Sequence, residues 1–468
     1  MRDLLVSLII LSSLPFCYRR PIVGLWMFSI LAYMRLQDLA WGFAKFQRWS
    51  MLVALIMLAG YVAARDKKGP IFELRTILMV FLASWIGLGH FFAQGRHPVN
   101  YAGFVEYAKI IFIAVFTSMV VRTREQLRIT VWVIALSFGF YGLKNGVAGI
   151  AKGGNMYIMR GPGGMLEDNN DFALAMAMSV PLLVGLATSE RNETLRKGLW
   201  GMVPLAALTV IFTKSRGGAL SLFLCTMGLV WRSRNRVIGL MIGALAVGAA
   251  AMLVPKENFE RLETLKDVEA DGSAMGRIRA WKVGSRMAID NPLFGVGFQR
   301  FQMNYLDYEP EPTQEQRAGK GTLVAHNSYI QIVAECGFPA LLTYLGLMGL
   351  CFFDIWKLRK EAKQRYAASW ILSYCTMFEV ILATFMLGSA FLNRAHFDLI
   401  YHYFAIILVF GQVARKQMQE EAMRPLLVQN KGRRGGPLVV QPASGFGGGS
   451  VAGASGAGFR TTPLQTRN

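Results

Sequence analysis

The chain has 468 residues, of which 53% are hydrophobic and 17% charged, and its mean hydropathy of +0.36 exceeds what a soluble core requires. Only helices or closed barrels satisfy their backbone in lipid, and the alternation of barrel strands is absent, so an all-α polytopic membrane protein is expected. The formal charge of +21 sits in short clusters between apolar runs, which argues for membrane topology and against a nucleic-acid partner.

The first apolar run, LLVSLIILSSLPF, is followed by no A-x-A site and reads as a membrane segment rather than a signal peptide. Further spans are expected at roughly 21–34, 50–64, 76–93, 103–121, 129–147, 171–188, 198–213, 217–231, 237–254, 328–355, 368–390 and 398–413, so the count is about twelve or thirteen. Five cysteines lie in or beside these runs without a CxxC pair, as small buried apolar residues do, and no metal site or cofactor is indicated.

Alternate connections differ in Lys and Arg. The set at 18–20, 65–75, 122–128, 191–197, 232–236 and 357–365 carries twenty, against ten for the other short set at 35–48, 92–102, 144–170, 214–216 and 391–397. The positive-inside rule assigns the first set and the tail to the cytoplasm. Arg160, Asn169, Asn170, Arg216, the long loop 255–327 and His326 then fall on the outer side. The domain plan is N-terminal helices at 1–150, central helices with binding loops at 151–254, an outer loop domain at 255–327, C-terminal helices at 328–414 and a tail at 415–468. From about Lys431 the tail is Gly/Ser-rich, a composition that resists ordering.

Three outer stretches carry chemistry. MRGPGGMLEDNNDFALAMAM holds Arg160, a turn, and the polar residues Glu167 to Asp171 at a helix start, where Asp and Asn serve as caps. TKSRGGALSL holds Arg216 at the outer lipid boundary between two spans, beside Ser215 and two glycines that permit close backbone approach. In the long loop, GSAMGRIRAWKVGSRMAIDNPLFGVGF reads as an interfacial helix bearing Arg277, Arg279, Lys282 and Arg286. Ile278, Trp281 and Met287 are expected to face the bilayer, the helix to end at Asn291-Pro292, and a glycine turn to follow at 295–297. In HNSYIQIVAECGFPALL, Asn327 or Ser328 can cap a helix behind His326. The positive end of the helix dipole disfavours imidazolium there, so His326 can accept a proton. His396, Asp398 and His402 in RAHFDLIYHYF do not share one helical face and are secondary candidates. Asp168 with Asp171 is an incomplete set for a divalent metal.

SRGG, GRIRAW, NPLFGVGFQRF and HNSYIQIVAECGFPALL, in this order, resemble the O-antigen ligase and polymerase superfamily over roughly residues 160–413. MRDLLVSLIILSSLPFCYRRPIVGLWMFSILAYMRLQDLAWGFA, WVIALSFGFYGLKNG, GPGGMLEDNNDFALA and FLNRAHFDLIYHYFAIIL resemble the exosortase-associated O-glycosylation ligases, extending the likeness from Met1 to about Val413. The resemblance implies a membrane glycosyltransferase of C-type architecture in the bacterial inner membrane, active at the periplasmic face without a metal. Its donor is a glycan on undecaprenyl diphosphate, and its acceptor a hydroxyl of protein or of lipid A core. It also implies roles by position: Arg216 and Arg277 hold the donor diphosphate and His326 assists the acceptor. Arg160, Asn169, Asn170, Asp171, Ser215, Arg279 and Asn327 are neighbouring candidates for substrate contact. A polymerase of the same superfamily is the nearest alternative. A lipid-linked oligosaccharide transporter is more distant, because transporters carry their polar groups near the midplane of several spans.

Overall fold

The computed structural model describes residues 1–93, 100–233, 272–312, 314–317, 321–365, 369–422, 426–427 and 440–441. The expected span at 237–254, the front of the outer loop at 255–271 and most of the Gly/Ser-rich tail lie outside the described residues. The chain divides into a unit of Met1–Lys416 and a second of Gln417–Asn468. In the second, Leu426–Leu427 pairs antiparallel with Val440–Gln441.

Helices follow the apolar runs closely. They are α1 Arg2–Arg19, α2 Pro21–Ser29 with a π-helical turn Ile30–Met34, α3 Trp49–Ala63, α4 Leu74–Phe92, α5 Tyr101–Val120, α6 Arg124–Ala151, α7 Asn169–Ser189, α8 Glu193–Phe212 and α9 Arg216–Arg232. After the outer loop helix α10, Gly272–Asp290, come α11 Ser328–Arg365, α12 Ser369–Gly388 and α13 Asp398–Ala422. Among the described residues seven helices are long and apolar enough to cross a membrane, while α2 with its π-helical turn and α3 are apolar but shorter. The protein is an all-α polytopic membrane protein.

Capping residues set the starts. Asn100, Thr123, Asp168, Asn192 and Ser215 each accept a backbone N–H of the helix that follows, and Thr123 with Gln126 closes a reciprocal capping box. In α7 every side chain from Asp171 to Leu183 is buried, because α6, α8, α9 and α12 surround it. A helix apolar on all faces belongs at the centre of a bundle. All five cysteines are buried and unpaired.

At the end of the bundle assigned to the cytoplasm, Asp354 accepts Arg75 at 2.9 Å and also pairs with Arg415, while Glu379 takes both Arg359 and Arg232. The opposite end carries the N-terminus. Asp3 Oδ1 accepts Gly42 N (2.9 Å) and Ala44 N (3.1 Å), and the guanidinium of Arg35, in the same connection, lies against Gly164 of the GPGG turn.

The outer loop helix corrects one expectation. Met287 of α10 is fully buried, together with Ala280 and Val283, in a satellite core completed by Phe301, Tyr305 and Ala334, and Trp281 is turned to the protein backbone. Only Ile278 of the expected bilayer-facing set is exposed. The reason is that α11 offers α10 an apolar partner at its outer end, a long-range contact that local periodicity does not reveal.

Candidate functional site

The site is assembled at one break in a helix. In α11 the backbone at Gly337 leaves helical geometry (φ 82°), freeing the carbonyls of Ala334, Glu335 and Cys336. The glycine turn after α10 takes them up. Val296 N donates to Ala334 O at 2.9 Å and Gly297 N to Glu335 O at 3.0 Å, while Trp85 Nε1 donates to both Leu293 O and Cys336 O at 3.2 Å. A Cβ on Gly337 would stand 2.0 Å from Leu293 O, and one on Gly295 would stand 2.4 Å from the Glu335 carbonyl carbon, so both positions need glycine. NPLFGVG and ECGFP are thus two halves of one joint.

That joint fixes α10 against the residues before α11. Trp281 Nε1 donates to Ala325 O at 2.9 Å. Arg277 lies one turn earlier on the same face of α10, which brings its charge next to His326. His326 itself is left-handed (φ 45°), and Asn327 behind it accepts the N–H groups of Tyr329 (2.9 Å) and Ile330 (3.1 Å). Of the two expected caps, Asn327 does the capping. Ser328 works across the bundle instead, donating to Leu392 O and accepting from Arg394 N, each at 2.9 Å. Gln331 accepts Ala395 N at 3.2 Å, so the first turn of α11 is stitched to the α12–α13 connection.

The other side of the site is the start of α7 and α9. Asp168 Oδ1 accepts Asn170 N (2.8 Å) and Asp171 N (3.4 Å), and the backbones of Arg160 and Asp168 form a bridge. Ser215 Oγ donates to Asn170 Oδ1 at 2.6 Å and accepts Gly218 N at 3.0 Å, capping the helix whose first residue is Arg216. Asn169 Nδ2 donates to Thr213 O at 3.2 Å, and Asp171 is buried in an ion pair with Arg394. Of the two glycines in SRGG only Gly218 is forced by packing, since its Cβ would come within 2.4 Å of Ala173; Gly217 has room.

Burial lowers the proton affinity of His326, and the Arg277 charge lowers it further; Asp168 pulls the other way without reversing the outcome. The direction is the one expected from the helix dipole, with burial and the Arg277 charge as its causes. Arg277 and Asp168 both lie within electrostatic reach of His326, and Asp168, Asn170 and Ser215 are linked by hydrogen bonds at the starts of α7 and α9, the latter opening with Arg216. Arg279 leaves this set, its Nε 3.9 Å from Glu309 within the loop domain. The Arg160 side chain is exposed, and Asn169, Asn170, Asp171, Ser215 and Asn327 spend their polar atoms on caps and interhelix bonds. Among the described residues no three His, Cys, Asp or Glu side chains converge as metal ligands do.

Beside the site lies a cavity of about 340 Å³ whose walls include Val324, Gln331, Glu335, Arg394 and His396. Glu335 is 2% exposed, with Oε2 3.5 Å from His396 Nε2, and its Oε1 accepts Phe301 N. Sequence reasoning passed over Glu335, although a carboxylate inside QIVAECGFP is the kind of charge an apolar run retains only with a partner. It also passed over Arg394 and over Asp168 as the acidic neighbour of His326. His402 lies in the bundle core, its ring hydrogen-bonded to the Tyr33 hydroxyl at 2.7 Å and apart from this cavity.

Residues 201–345, which contain Arg216, Arg277 and His326, match the O-antigen ligase family, and residues 1–190 match a family of unknown function. No curated protein matches the chain. SRGG, GRIRAW and AHNSY all lie inside the matched region, so it is the segment 201–345, about a third of the chain, that is similar to the O-antigen ligase family.

Proposed function

We propose that this membrane enzyme of the O-antigen ligase and polymerase type transfers a glycan from a polyprenyl diphosphate, undecaprenyl diphosphate in a bacterial inner membrane, to an acceptor hydroxyl at the periplasmic face. What supports the proposal is that His326, its proton affinity lowered by burial and by the Arg277 charge, lies within electrostatic reach of Asp168, whose neighbour Asn170 is hydrogen-bonded to the Ser215 cap of the helix that opens with Arg216.

The chemistry uses these groups as follows. The acceptor oxygen attacks the anomeric carbon, its proton passes to the imidazole of His326, and the bond between sugar and phosphate breaks with its electron pair leaving on the diphosphate. Arg216 and Arg277 carry permanent charge and planar donor forks suited to phosphate oxygens, and they offset the charge that develops on the leaving group. This is the part a divalent ion plays elsewhere, so the scheme is metal-independent. A diphosphate is already a good anionic leaving group and needs no strong general acid. Attack opposite the leaving group inverts the anomeric centre. Transfer to protein Ser or Thr, as in the exosortase-associated branch, is the preferred acceptor reading.

The test is purified chain in proteoliposomes with a lipid-linked glycan and three acceptors: a Ser/Thr-bearing protein, lipid A core, or a second donor-linked chain. Glycan on protein supports the preferred reading, while glycan on lipid A core, or lengthened donor chains, assigns the enzyme to ligation or polymerisation. His326→Gln should abolish turnover with donor binding retained, whereas Arg216→Gln should weaken donor binding. Loss of activity to a chelator would overturn the metal-independent scheme.

A further inference from the structure

A groove of about 690 Å³ runs between α2 with its π-helical turn, α3 and α5. Its polarity is graded along all three walls in the same sense. On α3 and the connection before it, Lys45 and Arg48 come first, then Met51, Leu55 and Leu58. On α5, Lys109 precedes Phe112 and Ile113, and on α2, which runs the opposite way, Phe28 precedes Arg35. Along these three walls one end is therefore cationic and the other apolar, while α13 adds Asp398 and His402 to the lining.

The cationic end lies at headgroup depth. Trp41 and Phe46, each 78% exposed, flank it on the connection between α2 and α3, and the Arg2 guanidinium sits 4.2 Å over the Trp41 ring. Exposed aromatic side chains beside basic ones mark the interface between lipid and water. Four cations, Arg35, Lys45, Arg48 and Lys109, face two carboxylates, Glu106 and Asp398, in the groove lining. Arg35 is held by Asp38 and Lys109 by Glu106, both at 2.6 Å, while Lys45 and Arg48 have no acidic partner among the described residues.

We infer that this groove binds an acyl-chain lipid with an anionic phosphate headgroup, its phosphate on Lys45 and Arg48 and its chain along Met51, Leu55 and Leu58. The volume is in the range that encloses a bound small molecule, and the sign and depth of the charge match a phosphate at the membrane surface. All of the groove's lining except Asp398 and His402 lies in the region matching a family of unknown function, and Arg216, Arg277 and His326 do not line it. Glu106, Ile110 and Asp398 line both the groove and the 340 Å³ cavity, so a headgroup seated at the mouth faces that cavity. The inference concerns binding alone and does not depend on the transfer reaction proposed above.

Native mass spectrometry of the full chain, released from micelles with phosphatidylglycerol or phosphatidylcholine of equal chain length, tests it. Wild type should retain one phosphatidylglycerol in preference to phosphatidylcholine. Lys45→Gln with Arg48→Gln should weaken that retention ~25-fold, at about fivefold per cation near an anionic headgroup. Leu55→Trp, which fills the apolar shaft, should remove it, and Arg191→Gln, at an exposed loop outside the groove, should not. Lys45 and Arg48 are exposed, so their loss leaves the fold intact, as size-exclusion and helicity will report. Equal retention of the two lipids, unchanged binding in either groove variant, or preferential retention of a polyprenyl phosphate would overturn the assignment.

Discussion

Ser328→Ala isolates the tie that holds the His326 segment in place. Ser328 is 0% exposed, and its hydroxyl joins two backbone groups of another connection, Leu392 O and Arg394 N, each at 2.9 Å. Removing it leaves a carbonyl and an N–H without their partner in a site largely shut off from water. At about 1–3 kcal/mol for each orphaned group, discounted because the Arg394 side is only partly buried, the loss is about 2–4 kcal/mol. Ser221→Ala is the matched comparison. Ser221 is equally buried, but its hydroxyl bonds Gly217 O of its own helix at 2.8 Å, a carbonyl placed to accept a helical N–H as well, so about 0.5 kcal/mol or less is expected. Unfolding of both variants by SDS in mixed micelles, followed by helical circular dichroism, gives the difference directly. Equal cost for the two substitutions would refute the assignment of Ser328 as a clamp. Under the proposed reaction, Ser328→Ala should also lower turnover more than donor binding, because the loosened segment carries the base.

Three further outcomes follow from the same geometry. The proton affinity of His326 lies below the ordinary value of 6.5, so the base form persists at neutral pH and turnover should fall only as pH drops through a midpoint under 6.5. Arg277→Gln should move that acidic limb upward and Asp168→Asn should move it further down; a pH–rate profile unmoved by both would separate His326 from catalysis. Gly337→Ala places a Cβ 2.0 Å from Leu293 O at a positive φ, and should cost more than about 2 kcal/mol in the SDS titration while exposing the 292–297 turn to protease. Asp354→Asn should cost about 2 kcal/mol, because Arg75, 5% exposed, loses the carboxylate 2.9 Å away but keeps Glu73 at 2.6 Å; a double substitution with Arg75→Met should recover part of it, and strict additivity would argue against the pair.

Much of the candidate site was readable because its residues lie in short local motifs. Capping is local chemistry, so Asp168 and Asn327 could be placed at helix starts from a few neighbouring residues, whereas the cap that Ser215 supplies was not read from SRGG. The residues passed over have partners far along the chain. Ser328 meets Leu392 and Arg394, Asp171 meets Arg394, and Glu335 meets His396. Nothing in the spacing of these residues announces the pairing, and the same distance effect turned Met287 from an expected lipid contact into a core residue.

The sequence by itself determined the membrane class, the position of nearly every described helix and the end of the bundle to which Arg216, Arg277 and His326 belong. The first two follow from the free energy of putting apolar side chains and backbone into lipid, which is summed along the chain and needs no partner, and the third from the bias of Lys and Arg among alternate connections. Tertiary structure alone decided that α11 breaks at Gly337, that the turn after α10 fills the break, and that the Arg277 charge reaches His326. A carbonyl released from a helix must find a donor, and which donor it finds depends on what the folded bundle brings within 3 Å, as Val296 N is to Ala334 O at 2.9 Å and Gly297 N to Glu335 O at 3.0 Å.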